Sequence, residues 1–394
     1  MHLVPGKCRI ESLVEETVSS KEISMVYYPV GICSLAVSFP SIRRTNAYYW
    51  EKYPELVDQA EQTNLAKLFS LDGVKPDNEL ELEMLPYLSD PFRGTVERWI
   101  LGPDESSLTL EYRAACNALS AVGMAPNDVD LMIVASILPE QIGLGNAAFL
   151  ARQLGFQGAA WNLDGTCGSA PLALQTACAL VRAGEYRHVL VVVSCTYSRV
   201  FDENDTLFWP IGDGAGAFIV SSLALEQGVL GTKTIHTGVL CDIISVKPKP
   251  DPQGNQWARL RPSILANKIM CETAGDIVRT CCKGAAIAAS VTLDQIDFFL
   301  FNAATAWFTS FCVRILGIAP ERTINFYPQY ANIGATLTAA NLYYAAQMGK
   351  IRENDLVLVY GFGAAGVASA MVMRWGNVAF GPSPISSVNL SNTP

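Results

Sequence analysis

The chain has 394 residues, half of them hydrophobic and 16% charged, with a mean hydropathy of +0.23. That excludes a disordered chain and predicts a large buried core, sized for two or three average domains or for one α/β body built from two halves. The net charge of −9 and pI near 5.0 exclude the basic field that a nucleic-acid groove needs, and no apolar run reaches the roughly 18–20 residues that cross a bilayer.

At the N-terminus, Met1–Ile10 lacks a cationic stretch followed by an apolar one, so no export signal is read and a cytoplasmic location is expected. The eleven cysteines, without regular short spacing, then read as reduced thiols. Residues 1–25 precede the first predicted strand, Val30 to Phe39. Residues 45–95 carry Tyr48, Tyr49, Trp50 and Tyr53 with helical spacing and read as a peripheral helical decoration of the fold. The acidic stretch Asp77 to Glu83 reads as a solvated face or loop.

Beyond residue 125 the chain repeats itself. Asp128–Ser136 and Asp294–Ala303 are apolar strands entered through acidic residues. Each leads to a helical pattern that stops at Leu-Gly (Leu154-Gly155, Leu316-Gly317), the usual left-handed helix end. A short strand follows (Ala159–Leu163; Thr323–Phe326), then a helix of small residues (Gly168–Ala183; Gly334–Met348) that ends in Gly184 or Gly349. Next comes a strongly apolar strand (His188–Ser194; Leu356–Tyr360), and each half closes on a glycine turn and a last strand (Gly212–Val220; Gly361–Met373). Strands this apolar, alternating with helices, predict a largely parallel buried sheet. The two small-residue helices have too little polar surface to lie outside. The expected fold is an α-β-α-β-α sandwich of two pseudo-symmetric halves, residues 1–225 and 226–380, with a frayed polar tail over 381–394.

A pseudo-twofold relation brings the N-termini of the two central helices together, one carrying Cys167 and the other Asn332. Cys167 stands at a strand-to-helix turn, where free backbone N–H groups and the helix dipole lower a thiol's pKa and can hold an oxyanion beside the sulfur. Cys195, Cys281 and Cys282 read as small buried hydrophobes instead.

The cysteine turn, Gly212-Asp-Gly-Ala-Gly-Ala217, Tyr330-Ala-Asn332-Ile-Gly-Ala335 and Gly361-Phe-Gly363, in this order and on a duplicated chain, resemble the thiolase-fold condensing enzymes of the ketoacyl-ACP synthase III branch over roughly Pro29–Trp375. The resemblance implies an acyltransferase that uses no bound cofactor. Cys167 takes an acyl group from a coenzyme A or acyl-carrier-protein thioester, and a second substrate attacks the acyl-enzyme. It further implies an oxyanion hole from the backbone N–H groups of Cys167 and about Ala364, coenzyme contacts by Arg199 and more weakly Arg93, and a homodimer.

One position departs from the pattern. Decarboxylating members of the branch place a histidine where this chain has Asn302, and none of its three histidines replaces it by position: His2 is terminal, His188 opens a strand and His236 lies on another strand. An asparagine amide can still donate to a thioester oxygen, but it cannot act as a base. Losing a polarising donor costs about 3–4 kcal/mol, so decarboxylation of a malonyl thioester is expected to suffer more than transfer to an amine or an acidic carbon. The expected function is therefore acyl transfer in polyketide- or lipid-type secondary biosynthesis, with decarboxylative condensation or a catalytically weak partner subunit as the alternatives. Gly361-Phe-Gly363-Ala-Ala-Gly366 fits a dinucleotide fingerprint only superficially, since a strand rather than a helix is expected next. Nothing reads as a metal cluster.

Overall fold

The computed structural model describes residues 28–70, 78–241, 243–250, 256–263, 266–364 and 366–384. The expectations for residues 1–25, for His2 and for the tail beyond residue 384 lie outside the described residues. In chain order the elements are β1 (Val30–Ser38), β2 (Ile42–Thr45), α1 (Asn46–Lys52), α2 (Pro54–Ser70), α3 (Glu79–Met84), β3 (Glu97–Ile100), α4 (Ser107–Ala121), β4 (Leu131–Ile137), α5 (Ala147–Leu154), β5 (Ala159–Asn162), α6 (Ser169–Arg182), β6 (Val189–Thr196) and β7 (Asp213–Ser222). There follow β8 (Gly228–His236), β9 (Ile244–Pro250), β10 (Gln256–Pro262), α7 (Ala266–Ala288), β11 (Phe298–Phe301), α8 (Phe308–Leu316), α9 (Tyr327–Tyr330), α10 (Thr336–Gln347), β12 (Leu356–Phe362), β13 (Val367–Arg374) and β14 (Ala379–Phe380).

Two sheets form the body, one ordered β14-β1-β7-β6-β4-β5 and the other β11-β12-β13-β8. The second reproduces the first. The parallel pair β4–β6 corresponds to β11–β12, and the antiparallel pairs β6–β7 and β7–β1 correspond to β12–β13 and β13–β8. The sheets are apolar on both faces because both are covered. Helices α4 and α5 pack outside the first sheet, α7 and α8 outside the second, and α6 and α10 touch strands of both. The fold is thus a thiolase-like α-β-α-β-α sandwich.

Local chemistry accounts for the elements. All eight residues of β6, VLVVVSCT, are buried, and each buried Val or Leu contributes roughly 1.5–3 kcal/mol by leaving water. Helices α5 and α8 stop where Gly155 (φ 65°) and Gly317 (φ 66°) turn left-handed. The central layer needs small residues: a Cβ on Gly216 of β7 would lie 2.3 Å from Ala339 Cβ of α10.

One expected strand is nearly absent. Thr323–Phe326 makes a single parallel bridge, Phe299 to Thr323, where β5 pairs along its length in the other half. Asn325 diverts the chain: its Oδ1 accepts from Tyr327 N–H (3.0 Å) and its Nδ2 donates to Ala306 O (2.9 Å), which starts α9 instead. The acidic stretch contributes α3, whose N-cap Asn78 accepts from Glu81 N–H (3.0 Å) and whose Leu80 is buried.

Candidate active site

Cys167 lies in a short 3₁₀ turn, Thr166–Gly168, at the mouth of α6. Hydrogen bonds from Thr166 N–H to Asp164 Oδ1 (2.9 Å), Gly165 N–H to Ser169 Oγ (3.0 Å) and Ser169 Oγ to Thr166 O (2.7 Å) hold the turn. Thr166 is thereby kept at φ 51°, a left-handed conformation that strains a β-branched residue. The β12–β13 hairpin presses against this turn. A Cβ on Gly363 would sit 2.2 Å from Thr166 Oγ1 and 2.3 Å from Gly165 O, so only glycine fits there. The same hairpin disposes of the dinucleotide fingerprint, because β12 runs directly into antiparallel β13.

A cavity of about 560 Å³ opens beside the sulfur, bordered by Cys167, Tyr197, Asn302, Asn332, Ala364 and Arg93 among mostly apolar side chains. Residues 45–95 supply part of its wall through Leu80, Met84, Tyr87 and Leu88, whereas Tyr48, Trp50 and Tyr53 do not border it. The N–H groups of Cys167 and Ala364 donate to no backbone carbonyl among the described residues. Asn332 accepts from Gly334 N–H through Oδ1 (2.9 Å), so its Nδ2 is the atom free to turn to the cavity.

Asn302 behaves differently from expectation. Its Nδ2 donates to Cys167 O (2.5 Å) and to Gly334 O (3.1 Å), two carbonyls that can only accept, so both amide protons are consumed and the side chain cannot also donate to a thioester oxygen. The residue four positions after Cys167 is Pro171, which has no N–H, and Asn302 supplies the donor that the first turn of α6 lacks. Its Oδ1, on a residue only 2% exposed, has no partner among the described residues.

The thiol also departs from expectation. Burial is the largest influence and pushes Cys167 above its ordinary value, opposed by the Tyr197 hydroxyl 3.7 Å away and by backbone hydrogen bonding, so the resting sulfur is a neutral thiol. Tyr197 is held beside it by Asp213, which accepts from Ser198 N–H (2.9 Å), from Ser198 Oγ and from Leu101 N–H (2.9 Å). Burial raises the Asp213 carboxyl to about 6.

The two arginines border different cavities. Arg199 pairs with Glu140 and borders a second cavity of about 600 Å³, separate from the sulfur's cavity except for the shared walls Phe201, Phe208 and Ile211. Arg93 is the one that borders the cavity of Cys167. His188 bonds Ser221 Oγ through Nδ1 (2.8 Å), His236 is exposed, and neither borders the cavity.

Comparison with known proteins decides the family. Residues 162–238 match the family model described as 3-oxoacyl-[acyl-carrier-protein (ACP)] synthase III, and residues 287–375 match its C-terminal counterpart. The β-ketoacyl-[acyl-carrier-protein] synthase III of Gloeobacter violaceus is 31% identical over 293 residues, 72% of this chain and 88% of that one. The chain belongs to the 3-oxoacyl-ACP synthase III family. Another synthase III, from Sphingopyxis alaskensis, is 30% identical over 287 residues, 70% of this chain and 86% of that protein. Among solved structures, the synthase III of Thermus thermophilus superposes with a TM-score of 0.72 at 26% identity, covering 88% of this chain and all (100%) of that one. A structure of OleA from Xanthomonas campestris shares the fold at TM-score 0.68 and 17% identity, covering 88% of this chain and 98% of that one.

Sequence reasoning missed Tyr197 and Thr305. Both border the family fold's cavity here, and no local pattern marks either. For Thr305 the only cue is its place three residues after Asn302 at the end of β11. Among the described residues no cluster of three or more His, Cys, Asp or Glu could hold a metal ion, and no helix is long and apolar enough to cross a membrane.

Proposed function

We propose that this synthase III relative is an acyltransferase that loads an acyl group from a coenzyme A or acyl-carrier-protein thioester onto Cys167 and passes it to a second substrate, without efficient decarboxylation of malonyl thioesters. Sγ attacks the thioester carbonyl while the Cys167 and Ala364 N–H groups receive the developing oxyanion. The intermediate collapses with loss of the carrier thiol, which leaves with the proton from Cys167. Attack by the second substrate then releases the Cys167 thiol. Asn332, through Nδ2, is the side-chain donor for the second substrate's oxygen.

The observation that carries the non-decarboxylating part is the state of Asn302, whose N–H groups are both spent on carbonyls. An enolate forming from malonyl thioester would find one side-chain amide, Asn332, rather than two donors. Decarboxylative C–C condensation is the second reading, favoured by the 31% identity to a β-ketoacyl synthase III. The placing of Cys167 and Asn332 on one cavity weighs against a catalytically weak partner subunit. Incubation with acyl-CoA, acyl-carrier and malonyl thioesters separates the three. A covalent adduct lost in Cys167→Ala, with slow carbon dioxide release, is expected. Brisk malonyl decarboxylation sinks the proposal, and no adduct with any donor favours the partner-subunit reading.

We further propose a cytoplasmic homodimer. The edge strand β5 is mostly exposed and carries Trp161, 36% exposed, and an open edge of this kind is a ready pairing surface. Trp161→Lys is expected to shift the mass in light scattering from dimer to monomer.

A further inference from the structure

Arg93 places an unpaired cation in a mostly apolar cavity. Its turn is clamped by Asp90, whose carboxylate accepts from Phe92 N–H (2.8 Å) and Gly94 N–H (2.6 Å), while Arg93 N–H donates to Asp90 O (3.1 Å). The clamp holds Arg93 at φ 52°, a left-handed backbone that is unfavourable for a non-glycine residue. Asp90 is therefore occupied with backbone and forms no ion pair with the arginine. No hydrogen bond, salt bridge or aromatic ring engages the guanidinium among the described residues. Burial pulls its pKa down from the ordinary arginine value, with Tyr327, Asp205 and Asp90 pulling it back up. A second group on the same cavity wall is also unsatisfied: Thr305 Oγ1 is buried with no partner. An unpaired, largely buried charge is unfavourable until an anion meets it, and a guanidinium meets carboxylates in a two-pronged geometry.

We propose that Arg93 recognises a carboxylate carried by the acyl group, so that the preferred donors are ω-carboxyacyl thioesters rather than plain fatty acyl ones. This rests on reading the cavity as the acyl pocket of Cys167. The carrier's phosphates offer the same anionic chemistry. The apolar residues Leu80, Met84, Leu88 and Trp307 that line the same cavity favour the acyl chain over a strongly hydrated nucleotide.

The test uses succinyl, glutaryl, adipoyl and suberoyl thioesters paired with butyryl, pentanoyl, hexanoyl and octanoyl ones. Each is made both as the coenzyme A and as the N-acetylcysteamine thioester, which has no phosphate. Acylation of Cys167 is followed by intact-mass spectrometry in the wild type, Arg93→Met and Arg93→Lys. The wild type is expected to prefer at least one carboxylated donor of the pair by about tenfold or more, with the preference lost in Arg93→Met and partly kept in Arg93→Lys. Equal ratios in wild type and Arg93→Met overturn the proposal while leaving acyl transfer intact. So does a defect of Arg93→Met confined to coenzyme A thioesters, which assigns the arginine to phosphate. Melting with free adipate or suberate separates the two readings when no thioester reacts. Stabilisation of the wild type but not of Arg93→Met keeps the anion site and removes the thioester reading; stabilisation of neither removes the anion site.

Discussion

Asn302→Asp exchanges one atom type and reverses the polarity of the contact that Asn302 makes with the nucleophile turn. The amide now donates to Cys167 O at 2.5 Å and Gly334 O at 3.1 Å; a carboxylate would set an oxygen against both carbonyls. Gly334 O keeps a bond from Leu337 N–H (3.3 Å), so there the loss is one hydrogen bond, about 0.5–1.5 kcal/mol. Cys167 O has Pro171 where its helical donor should be and would be left buried and unsatisfied, about 1–3 kcal/mol. Together they come to about 1.5–4.5 kcal/mol, before the cost of a charge on a residue that is 2% exposed. That site raises the new carboxyl's pKa, and a protonated acid can donate to one carbonyl again. The deficit is thus largest above neutrality and narrows as pH falls toward the ordinary aspartate value near 3.9. Urea unfolding of Asn302→Asp and wild type at pH 7.5 and pH 5 measures both effects. A loss below about 1 kcal/mol at pH 7.5 means that the amide protons are not committed to those carbonyls, and the argument against malonyl decarboxylation goes with them.

Gly363→Ala forces a Cβ within 2.2 Å of Thr166 Oγ1 and 2.3 Å of Gly165 O, so the hairpin must retreat and carry the Ala364 N–H with it. Acylation of Cys167 is expected to slow by about two to three decades, measured as adduct formation per unit time, and an unchanged rate contradicts the backbone oxyanion hole. Tyr197→Phe removes a hydrogen bond that lowers the thiol's pKa, so the pH midpoint of iodoacetamide alkylation at Cys167 should rise further; a fall would mean that the hydroxyl favours the thiol form. Glu111, fully buried between the hydroxyls of Ser136 and Ser194 and the amide of Asn146, is raised from about 4.5 to about 6. Because its folded-state pKa lies above the unfolded one, its protonated form is favoured in the fold, and wild type loses about 2 kcal/mol relative to Glu111→Gln as pH rises from 4 to 7. Parallel stability curves across that range would show that the carboxyl titrates normally.

The duplicated strands, the glycine helix stops and the cysteine turn were all legible from local pattern, because each is set by neighbouring residues. Val189–Val193 can only be a buried strand, and Gly155 can only end its helix. What was not legible depends on contacts distant in sequence. The orientation of Asn302 is decided by a carbonyl 135 residues away and by a proline that deprives it of a donor. Nothing local to Arg93 or Arg199 tells that Glu140 pairs with Arg199 or that the Asp90-clamped turn puts Arg93 on the cavity of Cys167. The short third element of the second half, Thr323–Phe326, failed as a strand because Asn325 fixes a competing turn. The neutral thiol was missed because helix polarity is a local property and burial is not.

The substitution of a side-chain amide for the missing proton donor at Pro171 ties the nucleophile of one half of the chain to the strand end of the other. Separate expression of the two halves would therefore leave the first with a frayed helix start and a misaligned sulfur. Chemical competence would return only when the fragments are mixed, which makes thiol reactivity a direct gauge of their reassembly.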